Sequence, residues 1–315
     1  MKGKLLLLAA ALAAPVALLR AEDGGSTPAP SAPAPAGQPA KLTDDQLRIR
    51  GIFNTNLPNT EKKNSLRFIF HPHFGDFTEK DHLRIPIGLR YGLTSNWEIT
   101  GEVEGYLSHG FGDVPAFKDY GFSNIHFGTK YHLKELVLDG WDSAVGFDYI
   151  QPVGHPPMDV TDGLTHMLPF MTFSRRLERD PHWRLFWGFG ADLVNKTDVP
   201  GELEKNELGD DSVNVTAGVV WDRNRWHYTL ESQIATSAGI GGPSNDSVFI
   251  LRPGVVWDVP PRYTQWIGGH WVVGFALRAS EGPDGFDFGG GAKVRVDFDL
   301  KKFLGRNKPK AIGEK

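Results

Sequence analysis

The sequence predicts an all-β chain, a transmembrane antiparallel β-barrel of about 12 strands with periplasmic termini. Three observations carry this reading. Segments of alternating apolar and polar residues recur from Ser65 to Leu300. The connections sort into short turns at one end and longer loops at the other. Tryptophan gathers at the strand ends beside the short turns. Side chains alternate across a strand, so each segment has one apolar and one polar face. In a soluble sandwich the apolar face would be core. In an outer-membrane barrel it meets lipid, and the polar face lines the lumen.

The clearest pair runs from His82 to Leu107. Leu83, Ile85, Ile87, Leu89, Tyr91 and Leu93 alternate with Arg84, Pro86, Gly88, Arg90 and Gly92. After Thr94-Ser95-Asn96, Trp97, Ile99, Val103 and Leu107 alternate with Glu98, Thr100, Glu102, Glu104 and Tyr106. So short a turn carries no crossover, and the arms pair antiparallel.

Composition agrees. The 315 residues suit one large barrel or two ordinary domains, and 37 glycines, nine tryptophans and 20 phenylalanines suit a β protein. A net charge of -4 gives no basic surface for nucleic acid. The negative mean hydropathy excludes a helical membrane bundle, but not a barrel in which half of each strand is polar. With no cysteine there is no disulfide, thiol catalysis, cysteine metal site or lipidated N-terminal cysteine.

Residues 1–21 read as a secretory signal peptide: Lys2 and Lys4, an apolar run from Leu5 to Leu19, and Ala21 before the cleavage site. Residues 22–60 form a Pro/Ala-rich periplasmic linker, since such a segment buries no core. Within it, Leu42 to Thr60 is irregular and compatible with a short helix, a plug or a tether. The barrel occupies 61–300, and 301–315 is a basic periplasmic tail.

The first strand is Ser65 to Phe74, with Leu66, Phe68 and Phe70 on one parity, and the hairpin above supplies the second and third. In the fourth, Ile125, Phe127, Tyr131 and Leu133 alternate with Asn124, His126, Lys130 and His132. The fifth, Ser143 to Val153, points Val145, Phe147 and Tyr149 outward and Asp148 inward. Leu164 to Leu177 is apolar on both parities and carries Pro169, which leaves its orientation open. Trp183 to Val194, Ser212 to Trp221, Trp226 to Ala235, Ser247 to Val259, His270 to Ala279 and Phe286 to Leu300 complete the series. Turns on the periplasmic side are TSN, KELVLDGWD, LERDPH, DRNR and the longer VPPRYTQWIGGH. The opposite set holds long, Gly- and acid-rich loops such as NKTDVPGELEKNELGDD. Trp97, Trp183, Trp221, Trp226, Trp257 and Trp271, with Trp141, stand at the periplasmic strand ends as an interface girdle.

The lumen-lining candidates are Arg84, Arg90, Glu98, Glu102, Glu104, His126, Lys130, Glu231, Arg295 and Asp297. Arg84 and Arg90 neighbour the glutamate-bearing strand, and the closing strand sets Arg295 and Asp297 beside Arg67. The pattern suggests a mutually neutralising ion-pair lattice that keeps the lumen wet; the alternative is that these groups set ion or solute selectivity. Both signs are present, so no strong ion preference follows.

Tyr91-Gly92-Leu93-Thr94, Asn96-Trp97-Glu98 and Lys130-Tyr131 resemble outer-membrane proteins of the phenol-degradation MetA-pathway transporter type. In that family a Gly-Asp segment introduces the Lys-Tyr strand; here Phe122-Ser123-Asn124 stands in its place. The similarity covers roughly residues 82–153. It implies a barrel that moves small, often hydrophobic compounds, and it brings no catalytic residues.

Nothing else in the chain points to chemistry. His71-Pro72-His73 lacks a nearby third metal ligand, and His126 and His132 read as ordinary lumen lining. There is no G-x-S-x-G elbow. Gly289-Gly290-Gly291 lacks a phosphate-loop context and fits close backbone approach or a bulge. No catalytic, cofactor or metal residues are assigned. Such a barrel is narrower than a general porin. The expected function is passive passage of small solutes, with outer-membrane lipid, the solute and the barrel-insertion machinery as partners. A structural or adhesive barrel acting through its loops is the alternative, and a lipid hydrolase a third.

Overall fold

A computed structural model describes residues 55–74, 82–110, 114–154, 157, 160–161, 163–195, 211–240, 247–282 and 285–299. The expected signal peptide, most of the linker and the C-terminal tail lie outside the described residues.

The strands are β1 (Ser65–Phe70 and His73–Phe74), β2 (His82–Gly92), β3 (Trp97–Ser108), β4 (Tyr120–Leu138), β5 (Trp141–Pro152) and β6 (Thr165–Arg176). They continue as β7 (Trp183–Asn195), β8 (Ser212–Arg223), β9 (Trp226–Thr236), β10 (Val248–Asp258), β11 (His270–Gly282) and β12 (Gly285–Asp299). Each pairs antiparallel with the next, and β1 pairs with β12, so the sheet closes into a 12-stranded barrel. Closure removes every sheet edge, which a strand-built membrane protein requires because lipid offers no hydrogen bonds.

The two segments of β1 are one strand. Pro72 has no N–H to give to the ladder, yet the register runs through it unbroken: Phe70 opposes Val294 and Ile87, while His73 opposes Gly291 and Arg84. The Pro72 carbonyl still accepts from the Ala292 amide at 2.9 Å. Gly291 serves close approach. A Cβ there would stand 2.8 Å from the His73 Cβ, and the β11–β12 register passes through the glycine run without a bulge.

The barrel is inside out relative to a soluble core. Ile87, Leu89, Ile99, Val103, Phe127, Val145, Phe147, Phe189, Val215, Leu230, Phe275 and Leu277 are exposed on the outer face. Arg67, Glu98, Lys130, Arg184, His227, Glu231 and Arg295 are buried on the inner one. That is the distribution of a barrel whose solvent outside is hydrocarbon.

Three expectations need correction. KELVLDGWD is mostly strand: β4 runs to Leu138, β5 starts at Trp141, and only Asp139 and Gly140 turn, the glycine at φ 68°. Its Leu138 pairs with Trp141, so backbone pairing continued where polarity suggested a loop. VPPRYTQWIGGH contains a short helix, α1 (Pro261–Thr264), entered through two prolines that preset its first turn. Finally, residues 55–60, the end of the expected linker, enter the barrel. β6 resolves its ambiguity in favour of Leu168 and Phe170 inward. The Phe170 ring fills the space over Gly146, where a Cβ would collide with it.

Candidate functional site: a charged lumen with an N-terminal plug

Each of the ten lumen candidates has inward parity. Arg90 Nη1 lies 3.8 Å and Lys130 Nζ 3.0 Å from Glu98 Oε1, across β2, β3 and β4. Glu102 Oε1 is 3.5 Å from His126 Nδ1. Glu104 Oε1 accepts from Ser123 Oγ at 2.9 Å and Asn124 Nδ2 at 3.0 Å. These two donors come from adjacent residues because β4 bulges there, with the register shifting between Glu104 and Gly105. Arg67 makes a bidentate contact with Asp297, its register partner on β12. Arg84 opposes His73, Arg295 is buried beside Val272, and Glu231 takes a hydrogen bond from Thr55.

At the end of the barrel carrying the short turns, charged groups form a belt. Arg176 Nη1 donates to Asp222 at 2.9 Å. His227 lies 2.7 Å from Asp222 and 3.2 Å from Asp258. His270 stands 4.0 Å from Asp258 and 3.8 Å from Asp297, and Arg67 follows. Arg67 Nη1 then reaches Glu61 at 2.9 Å. The Glu61 amide donates to Glu98 at 2.7 Å, and Glu98 meets Lys130. His132 and Asp142 continue it at 2.9 Å. Buried charges are tolerable only when so paired. Of this belt, sequence alone placed Arg67, Glu98, Lys130, His132 and Asp297 facing the lumen and did not single out Asp222, His227, Asp258 and His270. Their inward parity at the strand ends was visible, but their convergence depends on register across four strands.

Glu61 belongs to a segment that plugs this end. Leu57 is fully buried among Phe186, Val220, Val256 and Val272, inward residues of β7, β8, β10 and β11. Its carbonyl accepts from Lys130 Nζ at 2.8 Å, and Thr55 Oγ1 donates to Glu231 at 2.8 Å. Thr60 Oγ1 donates to the Ser95 carbonyl in the β2–β3 turn at 3.1 Å. The chain leaves over Gly92, where a Cβ would collide with the Lys62 and Glu61 backbone. A tether has no reason to bury a leucine; this one does, because four inward apolar residues at the same level leave a dry patch in a polar lumen.

Among family models and among curated proteins, nothing matches this chain. Among solved structures it is similar to an outer-membrane channel from Pseudomonas putida F1, at 11% identity over 76% of this chain and 97% of that one, TM-score 0.49. It is also similar to the NanC porin, at 9% identity over 74% and 98% with TM-score 0.48. The KdgM porin gives 8% identity over 74% and 99%, with TM-score 0.45.

The tryptophans stand where the short turns meet the outer wall. Trp183 stacks on Trp221 and Trp226 on Trp257, each at 5.8 Å between ring centroids. Trp97 Nε1 donates to Thr129 Oγ1 at 2.7 Å and Trp271 Nε1 to the Gly268 carbonyl at 2.8 Å, so their polar edges are satisfied while the rings stay outside. Trp141 meets Trp187 edge-on, and Trp187 stacks on Phe173 at 4.2 Å.

Proposed function

We propose that this chain is an outer-membrane channel through which small solutes pass passively, with residues 55–61 setting the width of its turn-side mouth. The observation that carries the reading is the combination of a charged, hydrogen-bonding interior with an apolar exterior. Charges facing a wet lumen cost little, whereas the same groups facing lipid would cost several kcal/mol. In this reading the signal peptide exports the chain, the insertion machinery places it in outer-membrane lipid, and the short turns with their tryptophans face the periplasm. The ten lumen candidates are then the groups a solute meets. The phenol-degradation MetA-pathway type supplies the size class of the cargo, small and often hydrophobic. No step calls for a catalyst or cofactor.

One observation favours a second reading, a barrel that stays shut and works through its loops: Leu57 seals against four strands. Planar-bilayer conductance and liposome swelling with solutes of graded size separate the two. The channel reading expects conductance from the wild-type protein and more from Leu57→Ala. Silence from both, with the heat-modifiable gel shift of a folded barrel retained, overturns it.

A further inference from the structure

An arginine stands on the outer wall of the barrel. On β8, Val219, Trp221 and Arg223 share outward parity, so Arg223 lies about 7 Å beyond the tryptophan girdle on the lipid side. Its register partner is Trp226, and its guanidinium is folded back to 5.7 Å from the centroid of the Trp221 ring. Arg225 is exposed in the same turn, and its carbonyl accepts from the Asp258 amide at 2.8 Å, which ties the turn to the end of β10. Beyond Asp258, in α1, Arg262 is exposed, lies 4.7 Å from the centroid of the Tyr263 ring and donates to its hydroxyl at 2.9 Å.

The turn that holds α1 folds onto the same outer surface. Trp271 Nε1 donates to the Gly268 carbonyl, and a Cβ on Gly269 would stand 2.9 Å from Val296 Cγ1 and 3.0 Å from Phe298 Cε1. Val296 has outward parity beside Trp271, yet it is only 2% exposed, with this turn lying over it. Trp266, 83% exposed, and Ile267 extend from the turn unburied.

We propose that the β8–β9 and β10–β11 turns form a binding site for anionic phospholipid headgroups on the outside of the barrel. The phosphodiester lies among Arg223, Arg225 and Arg262, and Trp266 and Ile267 enter the headgroup boundary of the same leaflet.

None of the three guanidinium groups has a carboxylate partner among the described residues. Asp222 and Asp258 turn inward and are held by Arg176 and His227. In the neighbouring β6–β7 turn Glu178 is taken by Arg175 and Asp180 by the His182 amide. A cation on a lipid-facing wall is cheap only near the interface, and lipid phosphates lie just beyond a tryptophan girdle. The guanidinium fork matches two phosphate oxygens while its face stays on an indole. The chain carries a net charge of -4, so a preference for anionic lipid has to come from a local site.

The site rests on the membrane placement in the proposed function, not on passage through the lumen. The test places the full-length protein in vesicles of equal phosphatidylglycerol and phosphatidylcholine, with bromine on the chains of one or the other. Quenching of the girdle tryptophans reports which lipid lies beside them. Wild type is expected to be quenched more by brominated phosphatidylglycerol, the excess shrinking as salt is raised. Arg223→Gln and, separately, Arg262→Gln are each expected to lower the relative affinity for phosphatidylglycerol about fivefold, the worth of one cation beside anionic lipid. Arg175→Gln, whose charge Glu178 already matches, is expected to leave it unchanged. The gel shift verifies that each variant is folded. Equal quenching by the two lipids, a preference untouched by both Arg223→Gln and Arg262→Gln, or an equal loss in Arg175→Gln overturns the site. So does displacement of phosphatidylglycerol by millimolar glycerophosphate, which marks a site for free phosphate. Failure of wild type to float with vesicles overturns the membrane placement and the site together. A preference for phosphatidylglycerol without bilayer conductance overturns the channel reading alone and leaves the lipid site standing.

Discussion

Truncating Leu57 to alanine tests the plug most directly. The side chain is fully buried, and its partners Phe186, Val220, Val256 and Val272 are held by four different strands that cannot close in on a vacancy. Leu→Ala changes in rigid surroundings cost about 2–5 kcal/mol, and a terminal segment that settles partly into the gap falls near 2–3. The cost lands on docking of the segment, because the barrel's ladders make no use of Leu57. At 1.4 kcal/mol per factor of ten, the undocked population rises roughly 30- to 150-fold. Single-channel recording is expected to show longer or larger openings. Hydrogen exchange is expected to show faster exchange at residues 55–61, with strand amides unchanged. Wild-type conductance together with wild-type exchange at these residues, in a protein that still shows the folded gel shift, would refute the argument that Leu57 holds the mouth shut.

Two further predictions concern the wall. Arg67→Ala leaves Glu61 and Asp297 without their shared guanidinium in a buried site, and unfolding should become easier by about 3–5 kcal/mol. Arg67→Lys should recover only part of that, since an ammonium cannot match the bidentate contact; equal heat-modification midpoints for wild type and Arg67→Ala would contradict the belt. Val103→Arg, on the exposed outer face, should destabilise the barrel in lipid by about 2–4 kcal/mol, whereas Thr100→Arg on the inner face should be much milder. If the two cost the same in a vesicle-based unfolding titration, the assignment of faces is wrong.

The alternation of residues was enough to read strand number, antiparallel order and the inward parity of Glu98, Glu102, Lys130 and Asp297. A strand's two faces are set by a local period of two that needs no knowledge of partners. Short turns were legible for a similar reason: Asn224, at φ 57°, closes the DRNR hairpin by a local backbone preference. The β4–β5 ribbon was less so, because Lys134 and Glu135 look like loop residues, and only pairing with β5 keeps them extended.

By itself, then, the sequence determined an inside-out, 12-stranded barrel and which side chains turn inward. Tertiary structure alone decided which of those side chains meet. It gathered Asp222, His227, Asp258 and His270 into one belt and drew Leu57 into the mouth. The physical reason is register. Parity is a property of one strand, but neighbourhood inside a barrel depends on the offset between strands and on closure of the last onto the first, which no single segment encodes.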